Sequence, residues 1–262
     1  MQKMTMAQYR QMEGLNISSL VNILKSPKHF IYKKNNPTDS DSLSLGRAIH
    51  SLILEPDLFF SEYAIAPKCD RRTKEGKKIY EDFLVSSSGK EVISFDEHSL
   101  AKAVADSVLS SPKINNMLSK GQAEVSFFKE IDGVNHKARL DFVAEQFFLD
   151  VKTCQNCTAR EFQRDFIKYN YHIKMGFYQH VLELETGVKH QAIVLAVETK
   201  DELDYQVYKI DQDFLDIGLK KYFELLETYK ECVKNNEWPG LEKAVQTMYA
   251  PDWLVKDAMS IE

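Results

Sequence analysis

The chain is poor in the residues that break or cross-link a scaffold: 10 glycines, 7 prolines and 4 cysteines among 262 residues. That scarcity excludes collagen-like, low-complexity and disulfide-framework proteins. No apolar run approaches the roughly 18 residues of a membrane span, so no membrane partner is expected. The amino terminus, MQKMTMAQYRQMEGLN, lacks the apolar stretch of a signal peptide. The expected compartment is therefore the cytoplasm, with Cys69, Cys154, Cys157 and Cys232 as reduced thiols. An excess of basic charge is missing too. The net charge of −5 is a mild argument against a nucleic-acid partner.

What is present is ordinary for a globular protein, 44% hydrophobic and 28% charged, and long enough for one large domain or a domain with substantial additions. Internal repeats are absent. Charge, however, is uneven. Residues 196–262 carry 8 Lys+Arg against 15 Asp+Glu, a net of −7, which leaves +2 on the first 195. The runs KSPKHFIYKK (25–34) and KCDRRTKEGKK (68–78) concentrate the basic residues. Taken alone, either run reads as a solvated face, but a local basic surface can also hold phosphates.

Along the chain, ISSLVNILKSPKHFIYKK predicts a helix capped by Ser18 or Ser19, followed by a flexible loop, NNPTDSDS (35–42). LSLGRAIHSLILE predicts a second, largely buried helix ending at Pro56. Further helices are expected through TKEGKKIYEDFLV and DEHSLAKAVADSVLSS, the latter capped by Asp96. The character changes at 122–131, 134–144 and 147–153, which are rich in β-branched and aromatic residues, with Asp132-Gly133 as a hairpin turn. Helices at 158–168 and 171–185, two strands (HQAIVLAVE and DYQVYKI) and a long helix at about 212–235 complete the order. Trp238 and Trp253 are expected to pin the tail to the body.

Strand alternation places Asp150 and Lys152 on one face, with Leu149 and Val151 pointing the other way into the core. Arg139 and Asp141 share a face of the preceding strand. If those strands pair through a turn near Glu145-Gln146, Asp141 comes close to Asp150. Two such carboxylates repel unless protons or a cation intervene. A hard divalent cation is the natural candidate, since Mg²⁺ takes one or two carboxylates and keeps waters for phosphate oxygens. Glu124, two strands back, could orient a water or ligate a second metal. An Asp-x-Lys pattern alone is better explained as charged residues at a strand end. The addition of Asp141, Glu124 and a following helix favours phosphodiester chemistry, with a metal lowering the pKa of water and Lys152 favouring its hydroxide form or holding the phosphate.

With these residues in place, the chain resembles the PD-(D/E)xK nucleases of the restriction-endonuclease-like fold, with Leu140-Asp141 where that motif often has Pro-Asp. It resembles more closely the exodeoxyribonuclease VIII family, the RecE-type recombination exonucleases of phages and prophages. The stretches that carry the likeness are LSLGRAIHSLILEPDLF, APKCDRRTKEGKK, ARLDF, LDVKT, YHIKMGFY and NNEWP. The resemblance implies an α/β fold: a mixed central sheet flanked by helices, with a helical N-terminal elaboration. It implies one exonuclease domain over 1–262, residues 1–120 carrying His50 and 121–262 forming the nuclease core and tail. It also implies His50, Asp141, Asp150 and the Val151 carbonyl as metal ligands, Lys152 as the catalytic lysine, and Tyr178 near the site. Lys174 stands where relatives commonly have glutamine and can bind phosphate as a point charge. Arg47 and Arg139 are the other expected phosphate contacts.

The expected activity is a Mg²⁺-dependent exonuclease, with Mn²⁺ able to substitute, that digests the 5′ strand of linear duplex DNA to leave 3′ overhangs. The expected partners are DNA ends, a RecT-type single-strand annealing protein and further copies of the chain in a ring-shaped tetramer, in a bacterial or phage-infected cell. Met1 lies almost directly before the first helix, which suggests a stand-alone version. Two alternatives stay open: a non-catalytic DNA-end-binding module, and a Cas4- or AddB-like nuclease whose iron–sulfur cluster would use Cys154-x-x-Cys157. Zinc on the four thiols is a similarly thin reading, because only one pair has ligand spacing.

Overall fold

In a computed structural model, which describes residues 2–36, 41–252 and 255, Asp132 and Gly133 take φ angles of 50° and 75°. Positive φ at both positions suits a two-residue hairpin turn, and the turn joins the two longest strands. The chain reaches it through β1 (Gln2–Lys3), α1 (Met6–Gln11), α2 (Ile17–Leu20), a 3-10 turn (Val21–Leu24) and α3 (Pro27–Asn35). Next come α4 (Asp41–Leu54), α5 (Phe59–Glu62), β2 (Tyr63–Ile65), α6 (Lys74–Ser86), β3 (Glu91–Ile93), α7 (Phe95–Leu109) and α8 (Pro112–Leu118). The hairpin strands are β4 (Gly121–Ile131) and β5 (Val134–Ala144), and β6 (Phe147–Cys154) follows. Then come α9 (Ala159–Lys168), α10 (Tyr171–Thr186), β7 (Gln191–Glu198), β8 (Tyr205–Lys209) and α11 (Gln212–Asn235).

Six strands form one mixed sheet in the order β1-β4-β5-β6-β7-β8, parallel only between β6 and β7. Helices α9 and α10 make the crossover that a parallel pair needs. Two apolar cores cover the two faces. One packs Phe148, Val194 and Ala196 against Phe177, Leu182, Tyr222 and Leu226 from α10 and α11. The other packs Leu149, Val151 and Leu195 against Ala48, Ile49, Val104 and Val108 from α4 and α7.

Three local expectations need correction. The helix expected from residue 17 breaks at Ser26, because Pro27 has no N–H and disfavours helical backbone before it; Ser26 then caps α3. Asn16, not Ser18 or Ser19, caps α2, accepting from the Ser19 N–H at 2.8 Å. Ser94, not Asp96, caps α7 in a reciprocal capping box with Glu97. The N-terminal part is mainly helical, as expected, with three short strands added. Its β1 pairs with β4, and β2 and β3 form a separate parallel pair. Trp238 stacks on Phe30 at 5.3 Å, as expected of a pin. Trp253 lies outside the described residues, as does 37–40 of the expected loop, whose last two residues already belong to α4.

The hairpin has one irregularity. Its ladder pairs Ala123 with Phe142 and Val125 with Leu140, but not Glu124 with Asp141 between them. Glu124 has φ 56°, a left-handed conformation that costs a non-glycine residue of order 1 kcal/mol or more. The hairpin changes allegiance there: Val125 and Leu140 pack into the α10–α11 core, Ala123 and Phe142 into the α4–α7 core.

Candidate active site

β5 and β6 share only two registered pairs, Phe142 with Leu149 and Val143 with Phe148. Beyond them the Val151 N–H donates to the Asp141 side chain, at 2.8 Å to Oδ2. The same oxygen lies 3.3 Å from Nδ1 of His50, which α4 presents from the other side. Asp141 thus joins three elements: its own strand, the backbone of β6 and helix α4.

On β6, Asp150 is 5% exposed and forms an ion pair with Lys152. A buried carboxylate is costly unless paired, and this pairing accounts for its tolerance. Burial raises the Asp150 pKa, the Lys152 charge opposes that, and Asp141 raises it further. Burial alone would lower Lys152, but Asp150 and then Asp141 more than offset it and hold the lysine above its ordinary value, as an ammonium. That ammonium also donates to the Val151 carbonyl at 3.2 Å.

Glu124, at the ladder irregularity, accepts from the Arg139 guanidinium, which also donates to the Met4 carbonyl at 2.7 Å. Burial, then the Asp141 charge, pushes the Glu124 pKa up to about 7 against the pull of Arg139. Arg47 is paired with Glu91 at 2.6 Å. Glu124, Asp141, His50, Arg47 and Arg139 line one cleft of about 590 Å³.

Helix α10 closes the site from the sheet's other face. It is held against α11 by two glycines at a close crossing: a Cβ on Gly218 would lie 2.0 Å from the His172 carbonyl oxygen, and one on Gly176 2.4 Å from that of Leu215. The helix presents Tyr171, whose ring lies 5.3 Å from the Lys152 ammonium and 5.6 Å from that of Lys174. Burial and the neighbouring Lys152 lower the Lys174 pKa to about 8. Tyr178 is buried one turn further along, and burial followed by the Asp150 charge holds its phenol well above the ordinary value.

The structure therefore draws together His50, Glu124, Asp141, Asp150, Val151 and Lys152, with Lys174 and Tyr178 behind them. Two further expected residues, Arg47 and Arg139, line the same cleft with their guanidiniums engaged by carboxylates. Sequence reasoning passed over Tyr171, although its spacing of three from Lys174 and seven from Tyr178 puts all three on one helical face.

The donors suit a hard divalent cation: two carboxylates and a carbonyl oxygen, with an imidazole alongside. Asp150 and the Val151 carbonyl converge on one cationic atom already, the Lys152 ammonium. The described residues hold no closed cage of three or more His, Cys, Asp or Glu side chains. This is compatible with a cation that retains most of its waters.

The thiols are placed differently. Burial pushes Cys154 up to about 12 and Cys157 up to about 11, and although Glu198 lies beside Cys157, no group of three or more Cys, His, Asp or Glu placed to hold a metal ion occurs among the described residues. A cluster needs four thiolates, so the iron–sulfur and zinc readings lose their support.

Residues 16–248 match the family described as "PDDEXK-like domain of unknown function (DUF3799)". A crystal structure of a candidate exonuclease from Eubacterium rectale superposes with a TM-score of 0.66 at 15% identity, covering 97% of this chain and 98% of that one. At that identity the likeness speaks for the fold alone. A phage-related exonuclease from Haemophilus somnus 129PT reaches a TM-score of 0.37 at 14% identity, covering 86% and 98% of the two chains, which is too low to argue from. No curated protein matches the chain.

Proposed function

This chain belongs to the PDDEXK-like family DUF3799 and has its restriction-endonuclease-like α/β fold, and from that premise we propose that it is a Mg²⁺-dependent exonuclease acting on linear duplex DNA. The observation that carries the reading is the cluster of Glu124, Asp141, His50, Asp150 and Lys152 beside the ladder irregularity, where one strand turns its side chains from one core to the other. Asp141, Asp150, His50 and the Val151 carbonyl would hold the metal. Bound there, Mg²⁺ or Mn²⁺ would lower the pKa of an attacking water and offset charge growing on the phosphate.

The protein's own groups divide the remaining work. Lys152, kept protonated by its carboxylate neighbours, acts as a fixed cation that favours the hydroxide form of the water or steadies the phosphate. Glu124, with a pKa of about 7, can accept a proton from water near neutral pH. Tyr178 stays a neutral phenol and can only donate or accept a hydrogen bond. Lys174 adds positive charge behind Lys152. A pure DNA-end-binding module would gain nothing from acids clustered against a polyanion, or from a strained glutamate among them.

The finer reading is digestion of the 5′ strand, leaving a 3′ overhang for a RecT-type annealing protein. A ring of four copies around the DNA, in the cytoplasm of a bacterium or phage-infected cell, completes it. Its support is the resemblance of the motifs, and the exonuclease description of the Eubacterium rectale protein is in keeping with it. The test is a linear duplex labelled separately at its 5′ and 3′ ends, and a covalently closed circle, each with Mg²⁺ or EDTA. Early release of 5′ label with Mg²⁺ only, and an intact circle, is the expected result. Rapid cutting of the circle would make the enzyme an endonuclease, and no cleavage of either substrate with Mg²⁺ would remove the enzymatic reading. Light scattering that finds only a 30 kDa species would contradict the ring.

A further inference from the structure

Three arginines line the cleft: Arg10, Arg47 and Arg139. The cleft is also lined by His50 and by five acids, Glu55, Glu62, Glu91, Glu124 and Asp141. A phosphate backbone entering this space needs cations that are not already committed. Arg47 is committed to Glu91, and Arg139 to Glu124 and the Met4 carbonyl. Arg10 differs: it stands exposed in the last turn of α1, and among the described residues no carboxylate, carbonyl or ring engages its guanidinium.

The segment that carries Arg10 is anchored along its length. β1 pairs Lys3 with Val125 and Gln2 with Ser126, immediately after Glu124. Lys3 forms an ion pair with Glu55 at 2.8 Å. The Lys137 ammonium donates to the Met12 carbonyl at 2.5 Å and to that of Tyr9 at 3.2 Å. Thr5 and Gln8 close a capping box at the start of α1. Residues 2–12 thus form a strap fixed to the strand that carries Glu124, and they precede the part of the chain that matches the family, which starts at residue 16.

We propose that this N-terminal strap is a wall of the DNA-binding cleft and that Arg10 is its phosphate-binding residue. The inference rests on the nuclease reading. Guanidinium suits the task because its fork of donors can hold two phosphate oxygens at once. The competing account is local: a cation near the end of α1 could simply favour that helix.

Binding is measured first without metal, in EDTA, by anisotropy of a labelled linear duplex across a NaCl series. The proteins are wild type, Arg10→Gln, Arg10→Lys and, as a charge-matched control, Lys234→Gln at the far end of α11. Arg10→Gln should weaken binding about tenfold and reduce the slope of log K against log salt by about 0.9, the value for one lost phosphate contact. Arg10→Lys should restore the slope and part of the affinity, and Lys234→Gln should change neither. With Mg²⁺, Arg10→Gln should raise KM about tenfold and leave kcat within twofold. An unchanged salt slope in Arg10→Gln, with or without a lower Tm, would overturn the proposal in favour of the local account. So would a wild type that does not bind the duplex. A wild type that binds with the predicted Arg10 dependence but never cleaves would sink the nuclease reading and leave the phosphate contact standing.

Discussion

The two carboxylate–base pairs of the site turn opposite partners outward. In the β6 pair the acid is the more covered member, with Asp150 7% and Lys152 17% exposed at their side chains. In the pair across the hairpin the base is the more covered, with Arg139 at 9% and Glu124 at 18%. The first pair therefore presents an ammonium and the second a carboxyl group. A reaction that must attract phosphate and accept a proton from water uses one of each. The backbones differ too: Asp150 sits in a regular parallel ladder, Glu124 in left-handed backbone where its own ladder fails.

The largest effect is expected from breaking the β6 pair. Reading the sequence alone, Asp150→Asn relieves like-charge repulsion and leaves the fold unharmed or slightly firmer. The ion pair reverses that expectation, because the substitution strands a buried ammonium. Urea denaturation should show a loss on the order of 3 kcal/mol, with no measurable cleavage. Adding Lys152→Met should recover part of the stability and none of the activity, so a double variant no more stable than Asp150→Asn would show that the pair is not coupled.

Breaking the second pair should cost less stability and still impair catalysis. Glu124→Gln should lower kcat about 100-fold, the range of a lost general base. Its pH signature follows from the raised pKa. Between the ordinary 4.5 and the folded value of about 7, the folded state binds more protons than the unfolded one. Stability of the metal-free protein should therefore be greatest below pH 4.5 for this group and fall, by up to about 3 kcal/mol, as pH rises through 7. Glu124→Gln should flatten that fall, and an equal slope in both proteins would contradict the assignment. The strain has its own test: Glu124→Gly should be about 1 kcal/mol more stable than Glu124→Ala, because only glycine takes φ 56° without penalty.

Much of this site could be read from residues alone. Alternation placed Asp150 and Lys152 on one face, Asp132-Gly133 announced the hairpin that sets the strand of Glu124 beside that of Asp141, and the turn near Glu145-Gln146 brings Asp141 to the β6 pair. The limits were physical. A two-residue strand such as β1 has too little pattern to announce itself, yet it anchors the strap. The Ser94 capping box was legible by its spacing, although Asp96 drew the assignment two residues too far in. The pairing of Arg47 with Glu91 joins residues 44 apart in sequence, across chain segments with no local relation. Left-handed backbone at a glutamate has no composition signal, so the reason for Glu124's poise emerged only with the fold.

The smallest effect is expected at Lys174. Its pKa is already lowered to about 8, so Lys174→Gln should change Tm by less than about 2 °C and raise KM by less than threefold. A large loss of kcat there would move the working cation from β6 to α10.

The central claim is that the ladder irregularity builds a hydrolytic site around Asp141, whose carboxylate reaches His50 and the Val151 N–H. Asp141→Asn keeps the shape and removes the charge. Single-turnover hydrolysis of a labelled linear duplex with Mg²⁺, run beside circular dichroism and thermal melts, tests it most directly. The account predicts a loss of at least about 1,000-fold in rate with the fold retained, whereas a folded variant cleaving within tenfold of wild type would contradict it.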